Sequence, residues 1–121
     1  MLLALLLGSL QPQPAQAPAL FTAGALKDRC ESTDPADASF CFAYIVGVYD
    51  AVRAYESWLK MREFCAPGNL VQADLRKAFI DYLAENPGYR AGEAASVVVV
   101  SLKTRFPCQD QPKPGDEVKI P

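Results

Sequence analysis

Four cysteines in a chain of 121 residues are the strongest constraint on how this sequence can fold. They are Cys30, Cys41, Cys65 and Cys108, and none forms the close Cys-x-x-Cys pair that structural zinc sites usually contain. A short chain buries a smaller share of its surface than a long one, so covalent links add stability that a small core cannot supply. The cysteines therefore predict two disulfides in an oxidising compartment, with no metal and no cofactor.

Residues 1–19 indicate that the chain is exported. An almost wholly apolar run, MLLALLLGSL, precedes QPQPAQAPA, which contains the small-residue pattern of a signal-peptide cleavage site. We expect cleavage after Ala17 or after Ala19. The run is shorter than the roughly 20 apolar residues that a membrane-spanning helix needs, and the alternative to a signal peptide is a buried N-terminal strand or helix. The mature protein is thus expected in the periplasm, without membrane attachment.

The composition excludes several classes of function. The chain has no histidine, which rules out Ser-His and Cys-His catalytic pairs and any zinc or haem site that needs a His ligand. Its formal net charge of −2 gives no basic patch for nucleic acid. We therefore predict a binding protein and not an enzyme, with no catalytic residues and no nucleic-acid partner.

Apolar residues at spacings of three and four predict two helices in the first half of the chain. The first is short, begins at Thr22 and runs to Cys30. The second is the longest, and either Asp34 followed by Pro35 or else Ser39 caps its start. Its apolar face is formed by Phe40, Cys41, Tyr44, Ile45, Val48, Val52, Tyr55 and Leu59.

Two more helices follow in the second half. Leu75, Phe79 and Leu83 lie at helical spacing, and the segment that begins at Asn86 with Pro and Gly ends this third helix. Residues 97–100 are four valines, which propensity alone assigns to a buried strand. The flanking segments favour helix, and no other segment alternates with a period of two to pair with a strand. We predict an all-α fold, a small disulfide-stapled bundle of four main helices.

Four motifs carry a family resemblance: FCFAYIVGVYDA, FCAPGNL, FIDYLAENPGYR and a terminal FPC, in this order. Together they resemble the Rap/Tai family of type VI secretion amidase immunity proteins. The resemblance covers residues 20–108 as one Rap/Tai-like immunity domain, and residues 109–121, rich in Pro and charge, are expected to be a disordered tail.

The resemblance implies a partner and an assembly. Members of this family are small exported helical proteins, often homodimeric, that bind a peptidoglycan amidase and block its active-site cleft. The expected partners are therefore a cognate amidase toxin and a second copy of the chain. From composition alone, a periplasmic helical chaperone or stress protein that binds unfolded clients remains the alternative.

Two segments are candidates for contact with a partner. Aromatic residues and Arg interleaved with charge, as in AYESWLKMREFC, are typical of protein-binding surfaces. Within it we expect Tyr55 and Phe64 to be buried and Trp58, Met61 and Arg62 to be exposed. The second segment is the compact loop that follows the third helix, with Asn86, Tyr89 and Arg90 as its candidate contact residues.

Two further residues of the second helix are expected to have structural roles. Gly47 costs a helix about 0.5 to 1 kcal/mol relative to Ala, so we expect close approach of another helix there, within the monomer or at a dimer seam. Asp50 is expected to pair with Arg53 or to cap a neighbouring helix.

Four cysteines allow three disulfide pairings, and the order of the helices selects one. In an up-and-down bundle with short connections, Cys30 and Cys41 lie at one end and Cys65 and Cys108 at the other. We therefore predict the pairs Cys30–Cys41 and Cys65–Cys108. The chain-entropy estimate gives about 3 kcal/mol for the shorter loop and about 4 kcal/mol for the longer.

Mass mapping of a non-reduced digest tests this pairing. Cleavage before Asp residues as well as after Lys and Arg separates Cys30 from Cys41. We expect one cross-linked product that joins Cys30 to Cys41 and another that joins Cys65 to Cys108. A peptide joining Cys30 to Cys65 or to Cys108 would contradict the prediction.

Overall fold

The structure, a computed structural model, describes residues 19–109. These residues form four α-helices and no strand, in agreement with the predicted all-α bundle. The predicted signal peptide and tail lie outside the described residues except for Ala19 and Gln109. The helices are α1 (Ala23–Glu31), α2 (Pro35–Leu59), α3 (Gln72–Glu85) and α4 (Ala94–Arg105), and a short 3-10 helix, Pro87–Ala91, joins α3 to α4.

The starts of α1 and α2 are fixed by the predicted side chains. The Thr22 hydroxyl accepts a hydrogen bond from the backbone N–H of Ala25 at 3.2 Å. The Asp34 carboxylate accepts from the N–H of Ala36 at 2.7 Å, and Pro35 occupies the first turn. Of the two candidate caps for α2, Asp34 is the one that the protein uses.

The valine run lies in α4, as its neighbours predicted. Ala94, Val98 and Leu102 have no exposed surface, and Val97 is 5% exposed. Val100 points away from this stripe and is 42% exposed. A helix buries one face of the run and leaves the other to solvent, which the sequence could not show because every position in the run is apolar.

Both predicted disulfide pairs are present. The sulfur atoms of Cys30 and Cys41 are 2.06 Å apart, and those of Cys65 and Cys108 are 1.95 Å apart. The described residues contain no free cysteine.

The up-and-down order from which we derived this pairing is wrong at α3. The guanidinium of Arg76, in the second turn of α3, donates a hydrogen bond to the Cys30 carbonyl, so α3 begins beside the Cys30–Cys41 disulfide. The chain reaches this end because residues 60–71 do not form a short turn but run back along α2. Phe64 in this segment packs on Tyr49, with 5.7 Å between the ring centroids.

The second disulfide forms because α4 follows the C-terminal half of α2. Lys103 Nζ, near the end of α4, lies 2.9 Å from the Glu63 carboxylate. The N–H of Cys65 donates to the Phe106 carbonyl at 2.8 Å, which brings Cys108 beside Cys65. The predicted pairing is therefore right, although the path of the chain between the two halves differs from the predicted one.

The core closes around Phe64 and Phe79, which have no exposed surface. Phe64 comes from the connection between α2 and α3 and not from a helix. The start of α1 is joined to the start of α4 by backbone hydrogen bonds from Ala23 to Gly92 (2.9 Å) and from Ala94 to Phe21 (3.0 Å).

Gly47 has no close neighbour within the protomer. A Cβ built at this position would meet no heavy atom within 4 Å, and the residue is exposed. The expected close approach of another helix within the monomer is therefore wrong. Gly24 in α1 is the helical glycine that a neighbour does approach, because its Cβ would lie 3.1 Å from the Arg90 carbonyl oxygen.

Substitution of Gly24 and of Gly47 by alanine should have opposite effects on the free energy of unfolding. Gly47→Ala should raise the free energy of unfolding by about 0.5 to 1 kcal/mol, since it removes the helix cost of glycine without a clash. Gly24→Ala should lower it, because the new methyl group presses on the backbone of the 3-10 helix. Urea titrations of both variants, at a protein concentration where the chain is monomeric, measure the difference. A loss of stability in Gly47→Ala would show that the monomer uses that position.

Candidate protein-binding surface

Four large apolar side chains are exposed at the C-terminal end of α2. Tyr55 is 59% exposed, Trp58 72%, Leu59 62% and Met61 42%, and we call these four residues the α2 patch. The rings of Tyr55 and Trp58 meet edge to face, with 5.5 Å between centroids. Three members of the patch, Tyr55, Leu59 and Met61, line an open cavity of about 300 Å³ with Val99 and others.

The patch exists because α2 is longer than the helices that cover it. Its 25 residues span about 37 Å, whereas α1 has 9 residues and α4 has 12. The exposure of Trp58 and Met61 agrees with the prediction, and Arg62 is exposed as well. Tyr55 was expected to be buried and is not, because it lies at the open cavity that it lines with Val99 of α4.

A buried carboxylate fixes the backbone that carries Met61. Glu56 is 7% exposed, and its carboxylate accepts hydrogen bonds from Arg53 Nη1 at 2.9 Å and from the N–H of Glu63 at 3.0 Å. The N–H of Met61 donates to the Glu56 carbonyl at 3.2 Å. Lys60 ends α2 with a φ of 54°, in the left-handed region. These bonds join the end of α2 to the segment that follows it and so fix the backbone on both sides of Met61.

Arg53 extends this network into the core. Its guanidinium lies 4.6 Å from the centroid of the Phe64 ring and 5.1 Å from that of Tyr49. It therefore pairs with Glu56 and lies over two neighbouring aromatic rings, whereas Asp50, its predicted partner, is exposed. The role of Glu56 was not predicted, although its spacing of three from Arg53 on a helix was a usable signal.

The 3-10 helix carries the second set of predicted contact residues. Tyr89 is 54% exposed, and its ring packs 6.0 Å from that of Tyr82. Arg90 Nη2 lies 3.0 Å from the carboxylate of Asp28. Asn86 is half-buried, and its side-chain amide donates to the Tyr82 carbonyl at 2.9 Å. Tyr89 is thus the residue that this element presents to solvent, while Asn86 ends α3.

The predicted contact residues form two groups on different elements. Trp58, Met61 and Arg62 lie together at the end of α2, and Met61 and Arg62 line one cavity of about 970 Å³ there. Tyr89 and Arg90 lie on the 3-10 helix, which packs on α1 and α3.

The part of the chain that the structure describes, residues 19–109, contains no cluster of three or more His, Cys, Asp or Glu side chains that could hold a metal ion. None of its helices has the length and apolar character needed to cross a membrane. Burial, together with the nearby Glu93 carboxylate, raises the pKa of the Tyr44 hydroxyl above its usual range.

Comparison with known proteins identifies one family. Residues 22–108 match the family model described as Rap1a immunity proteins. No curated protein matches the chain. The matched segment contains all four helices, both disulfides and both groups of predicted contact residues.

Removal of the buried Glu56 carboxylate should loosen the chain reversal after α2 and lower the stability of the whole protein. In Glu56→Ala, Arg53 and the N–H of Glu63 both lose their acceptor, so the free energy of unfolding should fall by about 1.5 to 3 kcal/mol. The control Glu85→Ala removes an exposed carboxylate at the end of α3 and should change it by less than about 0.5 kcal/mol. Urea titration compares the two. Equal effects would show that Glu56 does not hold the reversal after α2.

Proposed function

Because the chain belongs to the Rap1a immunity protein family, we propose that it binds a peptidoglycan amidase delivered by a type VI secretion system and occludes its active site. Family membership implies a cognate toxin, and the Rap/Tai resemblance of the motifs points to an amidase as that toxin. In this proposal the protein acts as an inhibitor and not as an enzyme.

The α2 patch is the observation that supports a specific partner. Exposed aromatic side chains on a fixed backbone give binding energy with little loss of conformational entropy, and a methionine side chain can adapt to the surface of the partner. The patch has Trp58 at its most exposed point, and Trp is among the residues most enriched at binding hot spots. We propose that it forms the main contact with the amidase.

The 3-10 helix supports the occlusion step. It is a compact protrusion held by the ion pair between Arg90 and Asp28 and by the hydrogen bond from the N–H of Gly92 to the Tyr89 carbonyl. A rigid protrusion with one exposed aromatic ring fits a cleft without first having to become ordered. We propose that Tyr89 provides a second contact, in the same protomer or from its partner.

The cysteines and the family support a compartment outside the cytoplasm. Two disulfides and an immunity-protein fold are consistent with a location outside the cytoplasm. With the predicted signal peptide, removed after Ala17 or Ala19, we place the protein in the periplasm, where a peptidoglycan amidase would act.

We also propose a two-fold homodimer. Gly47 lies on the solvent side of α2 with open space around its Cβ position, next to the exposed Ala43 and Ala51. Since no neighbour in the protomer explains a glycine here, contact with a second copy of α2 accounts for its helix cost. Such a contact would be isologous, with the same face used by both copies.

The alternative is a periplasmic chaperone that binds many unfolded clients through the same exposed side chains. Co-purification separates the two functions. A tagged chain should retain one amidase, encoded beside its own gene, at a ratio of one to one. Retention of many unrelated proteins without that amidase would favour the chaperone, and the purified chain itself should hydrolyse no peptidoglycan fragment.

Substitutions in the two contact groups test the proposed surfaces. Trp58→Ala should raise the Kd for the amidase by about 30-fold, the equivalent of about 2 kcal/mol. Arg62→Glu and Tyr89→Ala should also weaken binding. Phe42→Ala is the control, because Phe42 is an exposed aromatic residue at the other end of α2. Calorimetry with the purified amidase measures all four, and unchanged affinity in the three contact variants would remove both surfaces from the interface.

A charge at Gly47 tests the dimer. Gly47→Arg places a cation on the proposed seam without a clash in the protomer, so light scattering should show twice the monomer mass for the unsubstituted chain and the monomer mass for the variant. Ala84→Arg, at an exposed position of α3, should remain dimeric. A Gly47→Arg variant that stays dimeric would place the seam elsewhere, and a monomeric unsubstituted chain at micromolar concentration would contradict the dimer.

A further inference from the structure

The two disulfides differ in how accessible they are to a reagent in solution. Cys30 is 2% exposed and Cys41 is 1% exposed, and both belong to the hydrophobic core. Cys65 and Cys108 are half-buried and together line the open cavity of about 970 Å³ beside the α2 patch. Thiol–disulfide exchange requires a thiolate to reach a sulfur atom, so this difference in access controls which bond reacts first.

The cavity at the first disulfide does not cancel this difference. Cys30 borders a smaller cavity of about 420 Å³, but Cys41 does not, and the Arg76 guanidinium covers the Cys30 carbonyl there. At the second disulfide both cysteines face the same open space. Only the second bond therefore offers both of its sulfur-bearing residues to one approaching molecule.

The charges around the larger cavity favour an anionic thiolate. Lys60 and Arg62 both line it and bring two positive charges. Glu56, the one carboxylate among its lining residues, is held by Arg53 and by the N–H of Glu63. Positive groups near a disulfide stabilise the attacking thiolate and the thiolate that leaves.

The neighbouring contacts do not depend on the Cys65–Cys108 bond. The backbone hydrogen bond from Cys65 to Phe106 and the ion pair between Lys103 and Glu63 join the same two segments. The buried ring of Phe64 holds the chain next to Cys65 in the core. Loss of the Cys65–Cys108 bond would therefore loosen the end of α4 and the segment after α2, and leave the helices packed.

We propose that Cys65–Cys108 is a site of selective thiol–disulfide exchange with small thiols and dithiols, which open it while Cys30–Cys41 stays closed and the four helices stay folded. A thiolate of the dithiol attacks one sulfur, forms a mixed disulfide and releases the other cysteine as a thiolate. The second thiol of the reagent then displaces the first cysteine. The dithiol is oxidised to a disulfide, and its two electrons and two protons yield two cysteine thiols.

Opening of this bond should also affect the partner surface. The disulfide joins the end of α4 to the segment that follows Met61, so the reduced protein holds one edge of the α2 patch less firmly. This consequence rests on the proposed function, whereas the selective opening does not. Reduced affinity for the amidase after selective opening is the expected result, and equal affinity would overturn the effect on binding.

Stepwise reduction of the full oxidised chain tests the site. After treatment with increasing dithiothreitol and alkylation of free thiols, mass spectrometry should find Cys65 and Cys108 modified at about tenfold lower reductant than Cys30 and Cys41. At that point amide hydrogen exchange should increase only near the end of α4 and after α2. Modification of all four cysteines together, or of the first pair before the second, would overturn the proposal.

A pair of double variants provides the matched control. The double variant Cys65→Ser with Cys108→Ser should keep the helical circular dichroism of the oxidised protein. Its amide hydrogen exchange should increase in the same places as in the selectively reduced protein. Cys30→Ser with Cys41→Ser opens the shorter loop but buries two serine hydroxyls in the core, and this desolvation cost should make it the less stable of the two variants against urea. If the Cys65→Ser with Cys108→Ser variant unfolds while the other variant remains folded, the assignment of the two disulfides is reversed.

Discussion

The buried carboxylate of Glu56, which accepts hydrogen bonds from Arg53 and from the N–H of Glu63, is the constraint on which the rest of this structure depends. It turns the chain back at the end of α2, and the returning segment places Phe64 in the core. The same turn brings Cys65 within reach of Cys108 and leaves Tyr55, Trp58 and Leu59 exposed on the last turns of α2. One carboxylate thus connects the packing of the core, the position of a disulfide and the exposure of the proposed binding surface.

Much of the fold could be predicted because its local signals are strong. Thr22 and Asp34 cap the helices that the sequence assigns to them, and the buried stripe of Ala94, Val98 and Leu102 has helical spacing. The path of the chain could not be predicted in the same way. The segment after α2 looks like a turn with Pro and Gly, and long-range contacts such as that between Phe64 and Tyr49 show that it returns along the helix.

The candidate site was predicted in part for a similar reason. Interleaved aromatic and charged residues in the sequence predicted that Trp58 and Met61 are exposed. This prediction was possible because the exposure of each residue depends on the side of α2 on which it lies. The exposure of Tyr55 and the open space at Gly47 depend instead on where other helices end. The spacing of apolar residues in the sequence carries no information on those positions. Membership of an immunity family makes these exposed positions candidates for contact with a partner, since the protomer itself leaves them uncovered.

Inhibition of the amidase by this protein tests the central claim most directly. A fixed amount of the amidase encoded beside the gene is titrated with the oxidised chain, and the rate of cleavage of a peptidoglycan fragment is measured. The proposed occlusion predicts a rate that falls linearly and reaches the background at one equivalent of protomer. A rate that stays unchanged at a large excess of the folded, oxidised chain would contradict the account.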